Sequence, residues 1–283
     1  MAVSADARPT KGFFIENITR DLSLEDAILD LVDNAADSFI RTRNIDVSPA
    51  LLEVEVSRRP SMGSASKALI AITLNKDEFT IYDRCGGIDL EHAARQVFRF
   101  GRPPGSYPGS LGVYGIGMKR AIFKIGKHIV IESYTKKSGL RVEIDVPKWA
   151  EDDENWEFPI TKIGPARNDS EAGTRITIRG LNDEVKLRVD DGILMGRLRE
   201  ALSTTYSLFL QNFLSVSLNG TDIPPRTLPI AAFDDLEPNV RILDHHMPCE
   251  TGWRPAEFEF SDEDIDNYII IHKYYPSYAE LLF

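Results

Sequence analysis

The sequence predicts an α+β fold, a layer of amphipathic helices over a sheet, followed by a long helix and a small second unit. Three observations carry that expectation. A helical hydrophobic period occupies residues 23–41, and β-branched or alternating runs of strand length recur between residues 51 and 180. The order is helix, strands, helix, Gly-rich segment, helix, strands, which is not the strict strand–helix alternation of a doubly wound parallel sheet.

The first element, "SLEDAILDLVDNAADSFIR", places Leu24, Ile28, Leu31, Val32, Ala35 and Phe39 on one face of a 3.6-residue period. Ser23 with Asp26 three residues later resembles a capping box. Away from the apolar face, Asp30, Asp33, Asn34 and Asp37 crowd into one stripe. Like charges at these spacings repel by a few tenths of a kcal/mol each, about what a solvated face tolerates. A bound cation is the other way to tolerate them.

Strands are expected at "LLEVEVS" (51–57), "ALIAITLN" (68–75) and "EFTIYD" (78–83), with the Ser/Gly stretch "RRPSMGSASK" between the first two. A helix "DLEHAARQVFRFG" then runs into a Pro/Gly segment, residues 101–109, that is long enough for a lid, and a further helix starts within "GVYGIGMKRAIFKIG". "HIVIESYT", "LRVEIDV" and "GTRITIRG" read as strands. From about residue 183 the character changes. "LRVDDGILMGRLREALSTTYSLFLQNFL" reads as one long amphipathic helix and "SVSLNGTDIPP" as a strand closing in an Asn-Gly turn. A Pro-rich acidic stretch and an apolar strand, "YIIIHKYY", follow. We therefore expect two domains, residues 1–183 and residues 184–283.

The net charge of −11 argues against bulk electrostatic binding of nucleic acid. It is also uneven: from Pro229 onward twelve acids face three bases, so about −9 of it lies in the last fifth. Two cysteines, Cys85 and Cys249, make neither a disulfide framework nor a zinc spacing. "DHHMPC" (244–249) reads as a surface loop without further clustered ligands. With no signal-peptide run at the N-terminus and no stretch of 18 apolar residues, a cytoplasmic protein with no membrane partner is expected.

Two further segments bear on the acidic stripe. Asp83 ends a strand and is followed by Gly86 and Gly87. This is ordinary turn punctuation, or a carboxylate that accepts from the amine of a flat heterocycle lying against glycine backbone. Gly112, Gly115 and Gly117 precede a helix with Lys119 in its first turn. That is a flexible loop, or an anion site of neither the P-loop nor the Rossmann spacing. Read together, phosphates at the glycine turn would bring a divalent cation. Mg2+ takes few protein oxygens, and Asn34 supplies one without added charge. Asp30, one turn earlier, is then placed to orient and deprotonate a water.

These motifs, in this order, resemble the GHKL superfamily of gyrase, heat-shock chaperone, histidine kinase and mismatch-repair ATPases. "ILDLVDNAADS" is similar to the first box, "DRCGGI" to the adenine box, "GVYGIGMK" to the phosphate lid box and "GTRITI" to the late Gly-Thr strand, over roughly residues 13–180. The wording is most like the MORC and heat-shock chaperone branches. The resemblance implies a Bergerat-type α/β sandwich binding ATP and Mg2+, followed by a helix and a partial transducer-like segment. It implies Asp30 as catalytic base and Asn34 as metal ligand. It assigns Asp83, Gly87, Ile88 and Thr174 to the adenine end, and Gly112, Gly115, Ile116, Gly117 and Lys119 to the phosphates, with Asp37 also binding ATP. An ATP-dependent homodimer is implied as well. The family base is usually Glu, so Asp30 implies slow hydrolysis, and Cys85 replaces the first glycine of the adenine box. No phospho-accepting helix pair precedes the first box, so a histidine kinase is not expected. The alternatives are an ATP-sensing module without hydrolysis and a plain interaction domain; client and pathway are left open.

Overall fold

In the computed structural model, residues 5, 7–43, 67–101, 116–168 and 171–226 are described. Helix α1 (Lys11–Thr19) leads into α2 (Leu24–Arg43). After β1 (Ala68–Leu74) and β2 (Glu78–Asp83) comes a short helix α3 (Leu90–His92), continued as a π-helical turn over Ala93–Val97. Helix α4 (Gly117–Ile125), β3 (Gly126–Tyr134), β4 (Gly139–Asp145), α5 (Val146–Ala150), β5 (Ile160–Ile163) and β6 (Gly173–Leu181) follow. The described chain closes with α6 (Asp183–Asp190), α7 (Ile193–Thr205), α8 (Ser207–Asn212) and the hairpin β7 (Leu214–Leu218) and β8 (Thr221–Asp222).

The eight strands form one mixed sheet in the order β5-β4-β3-β6-β2-β1-β7-β8. Neighbours pair antiparallel except β1 and β7, which run parallel with Ile70 opposite Val216. Strand alternation sends Ile70, Ile72, Phe79, Ile81, Ile129, Ile131, Val142, Ile176, Ile178 and Val216 into the core, where they meet Ala27, Ile28, Leu31 and Val32 of α2 and Ala121, Ile122 and Ile125 of α4. Thr73, Glu143, Arg175 and Arg179, at alternating positions, are exposed. The fold is α+β, a helical layer on a mixed sheet, as a GHKL-type ATP-binding sandwich requires.

The capping box at Ser23 forms: the Asp26 amide donates to Ser23 Oγ at 3.0 Å and that hydroxyl donates to the Asp26 carboxylate at 2.6 Å. Strands β1, β2, β4 and β6 lie within two residues of their expected ends. The expected single helix beyond residue 187 is instead α6, α7 and α8. Gly192 takes φ +71, a left-handed conformation that stops α6, and Tyr206 leaves helical geometry between α7 and α8. The predicted helix "DLEHAARQVFRFG" likewise unwinds through its π turn by Val97. Asn219 (φ 49) and Gly220 (φ 74) make the expected hairpin turn. The runs at 51–57 and "YIIIHKYY", and the acidic stretch before the latter, lie outside the described residues.

Helix α1 is held by Lys11, which is fully buried. Its ammonium donates to the carbonyls of Trp149 (2.8 Å), Asn155 (2.5 Å) and Asp152, and lies 4.2 Å from the Trp149 ring centroid. Three acceptors and a π face replace its lost hydration, the condition for burying a cation. Among the described residues no helix is long and apolar enough to cross a membrane.

Candidate nucleotide-binding site

Asp83 is the last residue of β2, opposite Ile70 on β1 and 7% exposed. Burial pushes its carboxyl up to about 6, and hydrogen bonds from the Cys85 and Thr174 backbones offset part of that rise. The Cys85 amide reaches Oδ1 at 2.8 Å. Gly87 then turns with φ +74, and a Cβ there would sit 2.2 Å from the Tyr134 carbonyl oxygen. Backbone cannot yield to that contact, so only glycine closes this turn. Cys85, where the family pattern has glycine, is tolerated because its side chain points into the core, 1% exposed. Burial, with Asp83 beside it, pushes the thiol well above its usual range. The Cys85 carbonyl accepts from Ser38 (3.0 Å) and Thr42 (3.3 Å), tying the turn to α2.

Opposite lies a hydroxyl pair. Ser133 on β3 and Thr174 on β6 are cross-strand partners with their oxygens 2.9 Å apart, and the Ile88 amide donates to Ser133 Oγ at 2.7 Å. Asp83, Gly87, Ile88 and Thr174 are thereby gathered around one strand end. Ser133 belongs with them and escaped sequence reasoning; only its register against Thr174 identifies it.

At the other end of α2, Gly117 opens α4 against Asp30. A Cβ on Gly117 would lie 3.4 Å from the Asp30 carboxyl carbon and 3.5 Å from each of its oxygens. Asp30 faces the positive end of a helix here, a favourable place for a carboxylate. Its Oδ2 accepts from Arg120 Nε at 2.8 Å. Ile116 precedes the helix at its N-cap position. Lys119 is 3% exposed and its ammonium donates to the Val97 carbonyl at 2.9 Å, in the turn ahead of Phe100. Gly112 and Gly115 lie outside the described residues. Asn34 is exposed, and its Nδ2 donates to the Asp30 main-chain carbonyl. That turns the amide's donor inward and leaves its oxygen, a hard neutral donor, for a cation such as Mg2+. Asp37 is half-buried one turn further on.

The acidic stripe is not one surface. Asp33 turns toward the junction of α7 and α8, where Tyr206 Oη lies 2.5 Å from its Oδ1 and 3.0 Å from the Leu29 carbonyl. A phenol carries a single proton, so both contacts are hydrogen bonds when Asp33 is itself protonated and donates to Tyr206. Burial pushes Asp33 up to about 7; the Tyr206 hydrogen bond opposes the rise and the charges of Asp30 and Asp37 add to it. The reason is packing: Asp33 is only about 60° around the helix from Asp30, but α7 packs on α2 beside it.

Helix α2 therefore joins the two motif clusters, with Asp30 against Gly117 and with Ser38 and Thr42 against the turn after Asp83. Comparison with known proteins gives the family. The family model described as "Histidine kinase-, DNA gyrase B-, and HSP90-like ATPase" matches residues 22–174, while a search among curated proteins finds no match. The match runs from the residue before the α2 cap to the buried Thr174 hydroxyl, more than half of the chain, and the chain belongs to this GHKL family of ATPases, whose domains bind ATP.

Proposed function

We propose that the chain binds Mg-ATP and hydrolyses it slowly, in the manner of MORC or chaperone ATPases. Closure of the lid segment after residue 101 would drive homodimerisation or switch a partner domain, in the cytoplasm. The observation that carries this reading is the span of α2, with Asp30 and Asn34 beside Gly117 at one end and the Asp83 turn bonded to it at the other. Asp83 accepts from the adenine amine, with Gly87, Ile88 and Thr174 shaping the pocket. Gly112, Gly115, Ile116, Gly117 and Lys119 bind the phosphates, and Asp37 supports the nucleotide from α2. Asn34 would hold Mg2+, which supplies neutralisation of phosphate charge when bound.

Asp30 orients the attacking water. As the water oxygen bonds to the γ-phosphorus, the bond to the β-phosphate oxygen breaks with its electrons on ADP. The water proton passes to Asp30 and from there to the released phosphate. The domain division belongs to the same reading, with 184–283 as the output segment; its helix α7 leans on α2.

A second reading, ATP sensing without hydrolysis, is favoured by one observation: Arg120 already occupies an oxygen of the shorter base. Calorimetry with Mg-ATP, alongside phosphate release, tests both. Binding that is lost in Asp83→Asn and Asn34→Ala, with turnover lost in Asp30→Asn, is the expected result. Tight binding without phosphate release supports the sensor, and no binding at all overturns both.

A further inference from the structure

We propose that Arg120 is the positioning residue for Asp30, fixing the base relative to the phosphate-binding turn; this rests on the hydrolytic reading above. Aspartate is one methylene shorter than the glutamate usual in this family, so its carboxylate has less reach toward a bound nucleotide and must be aimed. Arg120 supplies the aim. It lies three residues after Gly117, in the first turn of α4, and its own amide is bonded to the Ile116 carbonyl at 2.9 Å. Its guanidinium therefore moves with the turn assigned to the phosphates.

The contact is made through a single nitrogen. Nε reaches Oδ2 at 2.8 Å, with the two side chains 35% and 20% exposed. A forked bidentate pair would engage both carboxylate oxygens and leave none for water. Here Oδ1 has no hydrogen-bond partner among the described residues, and a Cβ on Gly117 would stand 3.5 Å from each carboxylate oxygen. One oxygen is tethered and the other presented. In a loose phosphoryl-transfer transition state the water needs orientation more than strong deprotonation. A tethered carboxylate provides that orientation.

Steady-state kinetics and calorimetry of the full chain decide the matter, using Arg120→Gln, Arg120→Lys, Asp30→Asn and the double variant Asp30→Asn/Arg120→Gln. Thermal melting and ADP binding control for folding. The expected result for Arg120→Gln is kcat lowered about 10- to 100-fold with KM and the ATP Kd within about twofold of wild type. Arg120→Lys, which keeps a single cationic donor, recovers part of kcat. The double variant is no slower than Asp30→Asn alone, because an aim without a base has nothing to act on. Three results overturn the role: undiminished turnover in Arg120→Gln, losses that multiply in the double variant, or weakened ATP binding with ADP binding unchanged, which makes Arg120 a phosphate ligand. A wild-type chain that binds Mg-ATP and releases no phosphate overturns hydrolysis itself and this role with it. Wild-type turnover with an indifferent Arg120 overturns only the positioning.

Discussion

Asp30 and Asp33 stand less than one turn apart on α2 and meet opposite surroundings. Asp30 is paired with Arg120 at the start of α4, with one oxygen unbonded among the described residues. Asp33 lies under Tyr206, its carboxyl raised to about 7 by burial. In sequence they are members of one acidic stripe. In the fold one belongs to the candidate site and the other to the seam between α2 and α7. A helix face is thus defined by what packs on it. Three residues leave the two carboxylates only about 60° apart around the axis, so it is the neighbouring elements and not the rotation that separate their surroundings.

Removing the charge of Asp30 has the largest expected effect. Asp30→Asn is expected to lower phosphate release by about 100-fold or more, the range lost with a general base. Asp33→Asn is expected to change it less than about threefold. Equal losses in a single-turnover assay would place both carboxylates in the chemistry and erase the distinction.

Stability against pH separates the two carboxylates at Asp33. A carboxyl whose folded value is about 7 rather than 3.8 binds its proton more tightly in the folded state. Its contribution is therefore complete below about pH 4, declines as pH rises toward 7 and is lost above. Asparagine keeps the shape, and its amide can donate to Tyr206 as the protonated acid does. Asp33→Asn should match wild type in urea denaturation near pH 4 and exceed it by on the order of 2 kcal/mol at pH 8. If it is less stable than wild type at pH 8, Asp33 is an ionised acceptor and the proton count at Tyr206 is wrong. Tyr206→Phe removes the hydroxyl that meets both Asp33 and the Leu29 carbonyl, and is expected to cost about 1–2 kcal/mol at neutral pH.

The parts of this arrangement that could be read from sequence are those that local rules determine. The apolar period and cap of α2 come from adjacent residues. So do the alternation of β1, β2 and β6 and the glycines after Asp83, because strand period and positive φ are local demands. What could not be read depends on partners distant in the chain. Arg120 and Lys119 are neighbours, and nothing local says that one pairs with Asp30 while the other bonds the Val97 carbonyl. Ser133 becomes a site residue only through cross-strand register with Thr174, and Asp33 becomes a half-buried acid where Tyr206 meets it from 173 residues away. The helix breaks at Gly192 and Tyr206 were hidden by a strong amphipathic period, and the parallel placement of β7 beside β1 by topology.

A third acid on α2 sets the lower bound of the series. Glu25, in the first turn, makes a bidentate pair with Arg188 of α6, at 2.7 and 2.5 Å. Burial pushes its carboxyl up, but the Arg188 hydrogen bonds and charge outweigh burial and the net shift is downward. The sign is thus opposite to that of Asp33: stability from this pair is present above the usual carboxylate range near 4.5 and is lost as pH falls through the lowered folded value. With both side chains partly exposed, at 27% and 16%, solvent screening limits the pair to about 1 kcal/mol. Arg188→Ala should therefore cost that much in denaturant titrations at pH 7 and nothing near pH 2, with nucleotide turnover unchanged. A loss that persists at pH 2 would mean that the Arg188 stem stabilises through packing, and that the charge of Glu25 contributes little to the way α6 sits on α2.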